Sequence, residues 1–140
     1  HASVSELDAE VEVARRLMTR DEHEAALELL NASYRAHTDE SHLRRLIAKA
    51  EAAYIESALQ HGLSYDRVPV PARSDDGSLP QGLGPQESFL ISLLDGHADI
   101  RTILWLAPLR EVDVLRSLRQ LQDRGLIEIQ DARPVGQPTI

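Results

Sequence analysis

The chain is 140 residues long and 42% hydrophobic, enough apolar material for one medium or two small domains with real cores. Aromatic residues make up only 4%, so a core has to be built from Leu, Ile, Val and Ala, a composition that favours helices. A formal charge of −8 argues against nonspecific binding to nucleic acid or anionic membranes, and the absence of cysteine excludes disulfides and thiolate metal sites. A cysteine-free chain suits a reducing cytoplasm, the expected location. No apolar run approaches the ~20 residues of a membrane span, so no insertion into a bilayer is expected. Residues 5–12 are acidic where a secretion signal begins basic and turns apolar, and the expectation is a chain, or a piece of a longer one, without such a signal.

The first predicted element is a helix opened by Ser5-Glu6-Leu7-Asp8, where the serine can cap and Asp8 can reach back. Leu7, Val11, Ala14, Leu17 and Met18 form its apolar stripe, and Arg20 closes it with favourable charge. Asp21-Glu22-His23-Glu24 reads as a second box, starting a helix that buries Ala26, Leu27, Leu30 and Tyr34. A third helix is predicted from Ser41 to Gln60, with Leu43, Ile47, Ala50 and Tyr54 on its stripe and Gly62 as its stop. Residues 1–62 hold seven basic and twelve acidic side chains, a net of −5. This is either a solvated helical surface or a face for a basic partner.

Residues 63–84 change character. They are rich in Pro, Gly, Ser and Asp and have no helical period. Val68-Pro69-Val70-Pro71 is expected to be extended, near polyproline II, and Val68, Val70 and Leu79 point to a strap docked on its surroundings.

Residues 85–130 read as three short helices and a strand. Pro85 is a good first helical residue, Phe89, Ile91, Leu93 and Leu94 give an apolar side, and Asp95-Gly96 ends the helix. Asp99 is placed to cap the next helix, which carries Ile100, Ile103, Leu104, Trp105 and Leu106 and stops before Pro108. The third helix runs from about Arg110 to Arg124 with Val114, Leu115, Leu118 and Leu121 on one arc, and Gly125 is its left-handed stop. Leu126-Ile127-Glu128-Ile129 then reads as a short strand with one buried face.

The ending Leu118-Arg119-Gln120-Leu121-Gln122-Asp123-Arg124-Gly125-Leu126-Ile127, with the Leu93-Leu94-Asp95-Gly96 turn before it, resembles the winged-helix tail of some multidomain bacterial signalling proteins. The resemblance covers about a third of the chain. After Gln130 it departs from the pattern, because Pro134 and Pro138 stand where a second wing strand would pair, which implies a wing that is stunted or finished by a partner. Residues 20–32, with Ala25 and Ala32 at the positions of small packing residues, resemble the turn and second helix of a tetratricopeptide repeat. Arg20 and Glu22 replace the usual glycine and aromatic, and an unrelated three-helix bundle stays open as the alternative. Arg67, Arg73 and Asp76-Gly77-Ser78 are faintly similar to a cyclic-dinucleotide receptor motif, but Gln81 takes the place of its last glycine and no barrel strands surround it.

The winged-helix resemblance raises the question of DNA. The outward face predicted for the third helix carries Val112, Asp113, Arg116, Arg119, Gln120 and Asp123. Asp113 with Arg116, and Arg119 with Asp123, are spaced to pair on that surface, and residues 85–134 hold six arginines against eight carboxylates, a net of −2. Duplex binding draws its affinity from a basic face, so an acidic module of this kind is poorly equipped for it. None of the six histidines falls into H-x-x-x-H spacing, Asp95, His97 and Asp99 read as turn and cap chemistry, and no nucleophile or phosphate-loop pattern occurs. Trp105, the one tryptophan, is expected to be buried within the chain, with a partner contact as the sharper alternative. The reading is therefore a mainly α protein: a three-helix, repeat-like bundle, a strap, and a winged-helix domain with a short β element. It has no cofactor and no enzymatic activity. It acts as a protein–protein interaction or regulatory module whose candidate contact residues are Trp105, Arg116, Arg119 and Gln120. The alternative is a DNA-binding transcriptional regulator.

Overall fold

The computed structural model of the chain describes residues 3–37, 41–72 and 82–131. They form α1 (Ser3–Thr19), α2 (His23–Ala36), α3 (Ser41–Gln60), β1 (Val68–Pro71), α4 (Pro85–Ser92), α5 (Ile100–Leu106), α6 (Glu111–Asp123) and β2 (Ile127–Gln130). The protein is mainly helical with one two-stranded antiparallel sheet, as the composition and periodicity predict. It divides into two compact units, His1–Ser57 and Ala58–Ile140, with the division inside α3.

In the first unit α1 and α2 form a helical hairpin. The helix α1 begins at Ser3, two residues before the predicted start. The predicted second capping box does not form. Asp21 takes a left-handed φ of 62° and ends α1: Glu22 N–H reaches Leu17 O at 2.8 Å and Asp21 N–H reaches Met18 O at 3.1 Å, the two bonds of a Schellman stop. With Asp21 used in that stop, Glu22 becomes the N-cap of α2 and makes no side-chain cap bond. Only glycine adopts that backbone without strain, so Asp21→Gly is expected to raise thermal stability by about 0.5 kcal/mol, read by differential scanning calorimetry. Within the hairpin, Ser33 is buried and its hydroxyl donates to Glu10 Oε2. Ala26, Leu27 and Leu30 are buried as expected, whereas Ala25 and Ala32 are exposed, so among the described residues no neighbouring helix covers those two. Tyr34 is half-buried.

The second unit is closed by a strand whose partner the sequence reading did not identify. Val68–Pro71 is not a free polyproline segment. It pairs antiparallel with β2, in the register Val68↔Gln130, Pro69↔Ile129, Val70↔Glu128, Pro71↔Ile127. The bond from Ala72 N–H to Leu126 O, 2.9 Å, sets the parity of the ladder. Bonded pairs alternate in an antiparallel sheet, so Val68 and Val70 face β2 with their N–H groups while both prolines fall at positions whose N–H would point away. The strand that completes β2 therefore comes from upstream in the same chain. Leu79, Arg73, residues 76–78, Pro134 and Pro138 lie outside the described residues.

The core of this unit is apolar and aliphatic: Leu63, Leu90, Ile100, Ile103, Val114, Leu115, Leu118 and Leu121 are all fully buried. Helix α6 stops as predicted at Gly125, φ 75°, with Leu126 N–H on Leu121 O at 2.9 Å and Gly125 N–H on Gln122 O at 3.0 Å. In α4 the buried residues are Leu90 and Ile91, and Phe89, expected on the apolar side, is 39% exposed. Glu87 holds α4 from both ends of its carboxylate, with Oε1 accepting Gly84 N–H at 3.1 Å and Oε2 accepting from Arg124 Nη1 at 3.1 Å. Gln86 Nε2 donates to the buried Ser117 Oγ at 2.7 Å, which satisfies the one buried hydroxyl of α6.

Candidate protein-contact surface

Helix α5 has only seven residues, too few to be stable alone, and its first turn is held by partners for every free donor. Ile100 N–H donates to Arg67 O and Arg101 N–H to Tyr65 O, both at 2.9 Å, so the segment leading into β1 caps the helix with its own carbonyls. Asp99 Oδ1 accepts Thr102 N–H at 2.8 Å and the Thr102 hydroxyl at 2.7 Å. These bonds hold the Asp99 carboxyl below its ordinary range, chiefly through the Thr102 hydroxyl and then the Thr102 N–H. A depressed folded pKa means stability that is present above the unfolded value of 3.8 and lost as pH falls through the folded one. Asp99→Ala is expected to cost about 1 kcal/mol at neutral pH and progressively less in acid, measured by urea unfolding across pH 2–7.

The same segment is anchored twice more. Tyr65 donates its hydroxyl to Glu111 Oε2 at 2.6 Å, and the Arg101 guanidinium lies 5.2 Å from the centre of the Tyr65 ring. The Glu111 hydrogen bond, then burial, then the Glu111 charge push the phenol up, against the opposing charge of Arg101. Arg67 Nη1 meets Asp131 Oδ1 at 2.7 Å just beyond the end of β2. The periodicity of residues 63–84 gave no sign of these anchors, because each joins residues far apart in sequence through a single side chain or carbonyl.

Held this way, α5 turns Ile100 and Ile103 into the core and its other side to solvent. Trp105 is 88% exposed and Leu106 53%. The expectation that Trp105 is buried within the chain is thus overturned: the helix buries the two isoleucines, and a tryptophan two residues after Ile103 falls on the opposite side. Full burial of so large a side chain stabilises by about 3 kcal/mol, which this chain forgoes on its own.

The arginines of α6 are arranged differently from the sequence reading. Arg119 does not pair with Asp123. Its Nη2 donates to His61 O at 2.6 Å and its Nη1 to Gln122 Oε1 at 2.7 Å, so its charge sits against a carbonyl just past the end of α3. Arg116 is half-buried and Gln120 exposed, and each has an interaction partner within the chain. Val112, expected on the outward face, is 2% exposed. Within α6 only Gln120 and Asp123 are classed as exposed, one neutral and one acidic. Of the four candidate contact residues, then, three lie on α6 and are engaged at home, and Trp105 on α5 is open.

A concavity lies beside the sheet. A groove of about 560 Å³ is lined by Val70, Pro71, Ala72, Leu94, Asp95, Gly96, Glu128 and Gln130. Asp95 Oδ1 accepts the N–H groups of His97 and Ala98, each at 2.8 Å, and these bonds lower its pKa. Among the described residues no three His, Cys, Asp or Glu side chains converge to hold a metal ion, and no helix is long and apolar enough to cross a membrane. Comparison of the chain with family models, with curated proteins and with solved structures finds no match.

Proposed function

We propose that the chain is a non-enzymatic protein–protein interaction module and that the exposed side of α5 is its contact surface. The observation that carries the reading is Trp105, 88% exposed beside a 53% exposed Leu106 on a helix anchored by five separate hydrogen bonds to its first turn and its flanking tyrosine. Tryptophan is enriched at interface hot spots, and a rigid, prepaid orientation lowers the entropy lost on docking. The resemblance of residues 85–130 to winged-helix tails of bacterial signalling proteins supports a regulatory or adaptor role, and the cysteine-free composition supports a cytoplasmic setting.

The other reading, a DNA-binding regulator, draws no support from α6. A recognition helix has to offer base- and phosphate-seeking side chains to the groove. Here Arg119 is bound to His61 O, and the net charge of −8 repels the backbone. The test is affinity capture with the full chain and with Trp105→Ala. Polypeptides retained by the first and lost from the second, with unchanged thermal stability, support the proposal, whereas identical retention by both removes α5 from it.

A further inference from the structure

Among the described residues the groove beside the sheet carries charge of one sign. Its lining there combines the apolar Val70, Pro71, Ala72 and Leu94 with the Asp95 and Glu128 carboxylates, and none of the described lining residues is Lys, Arg or His. Asp95 uses one oxygen for its turn, and Glu128 has no hydrogen-bond or ion-pair partner among the described residues. The backbone hydrogen bonds from His97 and then Ala98 lower the Asp95 pKa and so favour its charged form. The volume of about 560 Å³ exceeds one side chain and suits a few residues of extended polypeptide. The unit that carries the groove agrees in sign, since residues 58–140 hold eight arginines against eleven carboxylates, a net of −3.

We propose that this groove takes a lysine or arginine side chain from an extended, otherwise apolar segment of a partner polypeptide, with the aliphatic stem on Val70 and Leu94 and the cationic head between Asp95 and Glu128. Long cationic side chains bury their stems on apolar surface while the charge stays at the rim. The inference rests on the reading of the chain as a polypeptide-binding module, and it concerns a second contact apart from Trp105.

The test is an amide-resolved NMR titration of the full chain with acetyl-Val-Arg-Val-Arg-Val-amide and with its Glu-for-Arg counterpart. The basic peptide is expected to shift the amides of Val70, Leu94, Gly96 and Glu128, with binding that weakens as salt rises and about tenfold on Glu128→Lys. No shifts, shifts elsewhere, equal binding of the acidic peptide, or indifference to Glu128→Lys would each overturn the proposal. Binding that emerges only in an Arg73→Ala, Arg133→Ala variant would make the chain's own arginines the occupant and overturn it too. If Trp105-dependent capture persists while the groove stays silent, this inference falls and the proposed function stands.

Discussion

Val70→Pro is expected to destabilise the second unit by about 2–4 kcal/mol, while Pro71→Ala changes it by less than about 1 kcal/mol, both read from chemical unfolding curves. The contrast follows from the register. Val70 opposes Glu128 in the same parity as the bonded Ala72–Leu126 pair, so its N–H belongs to the ladder. A proline there deletes a bond in the middle of β1 and leaves a β2 carbonyl without its donor. Pro71 stands one residue away, where an N–H would point out of the sheet, and its replacement by alanine loses only the restriction on the unfolded chain. The two native prolines also leave the outer edge of β1 without donors, which protects it from pairing with other chains. A Val70→Pro penalty no larger than the change on Pro71→Ala would mean that the Val70 N–H lies outside the ladder.

Leu118→Ala is expected to cost about 2–5 kcal/mol, and Trp105→Ala to stay within about 0.5 kcal/mol of the parent chain. Leu118 is fully buried at the centre of the α6 stripe, so its removal leaves a cavity lined by aliphatic neighbours that relax only in part. Trp105 is the larger side chain but is 88% exposed, and deleting it removes area already in contact with water. The order of the two effects is thus the reverse of what side-chain size suggests. Thermal unfolding of the two variants checks it, and a Trp105→Ala penalty comparable to that of Leu118→Ala would show that the indole is packed in solution.

What the sequence made legible was local. The stripe Val114, Leu115, Leu118 and Leu121, the Gly125 stop and the Asp99 cap are written in adjacent turns, and each is found where its spacing predicts. The α3 boundaries, Ser41–Gln60, follow from the same kind of periodicity. Asp21 misled because one residue stood between two helices and two local rules claimed it, and the left-handed stop of α1 prevailed over the cap of α2. Val68–Pro71 was hidden because proline argues against a strand, and only the register with β2 shows that both prolines fall on the harmless parity. Arg119 was hidden for another reason: its partner carbonyl, on His61, is 58 residues away, and no helical-wheel argument reaches it. Trp105 was misplaced because an apolar helix suggests all-round burial, whereas this short one buries only Ile100 and Ile103.

Site-specific photocrosslinking from positions 105 and 120, with benzoylphenylalanine in place of Trp105 or Gln120, tests the proposed contact surface most directly. The account predicts polypeptide adducts from position 105 on α5 and no nucleic-acid adducts from position 120 on α6. Nucleic-acid adducts from position 120, with none of any kind from position 105, would contradict it.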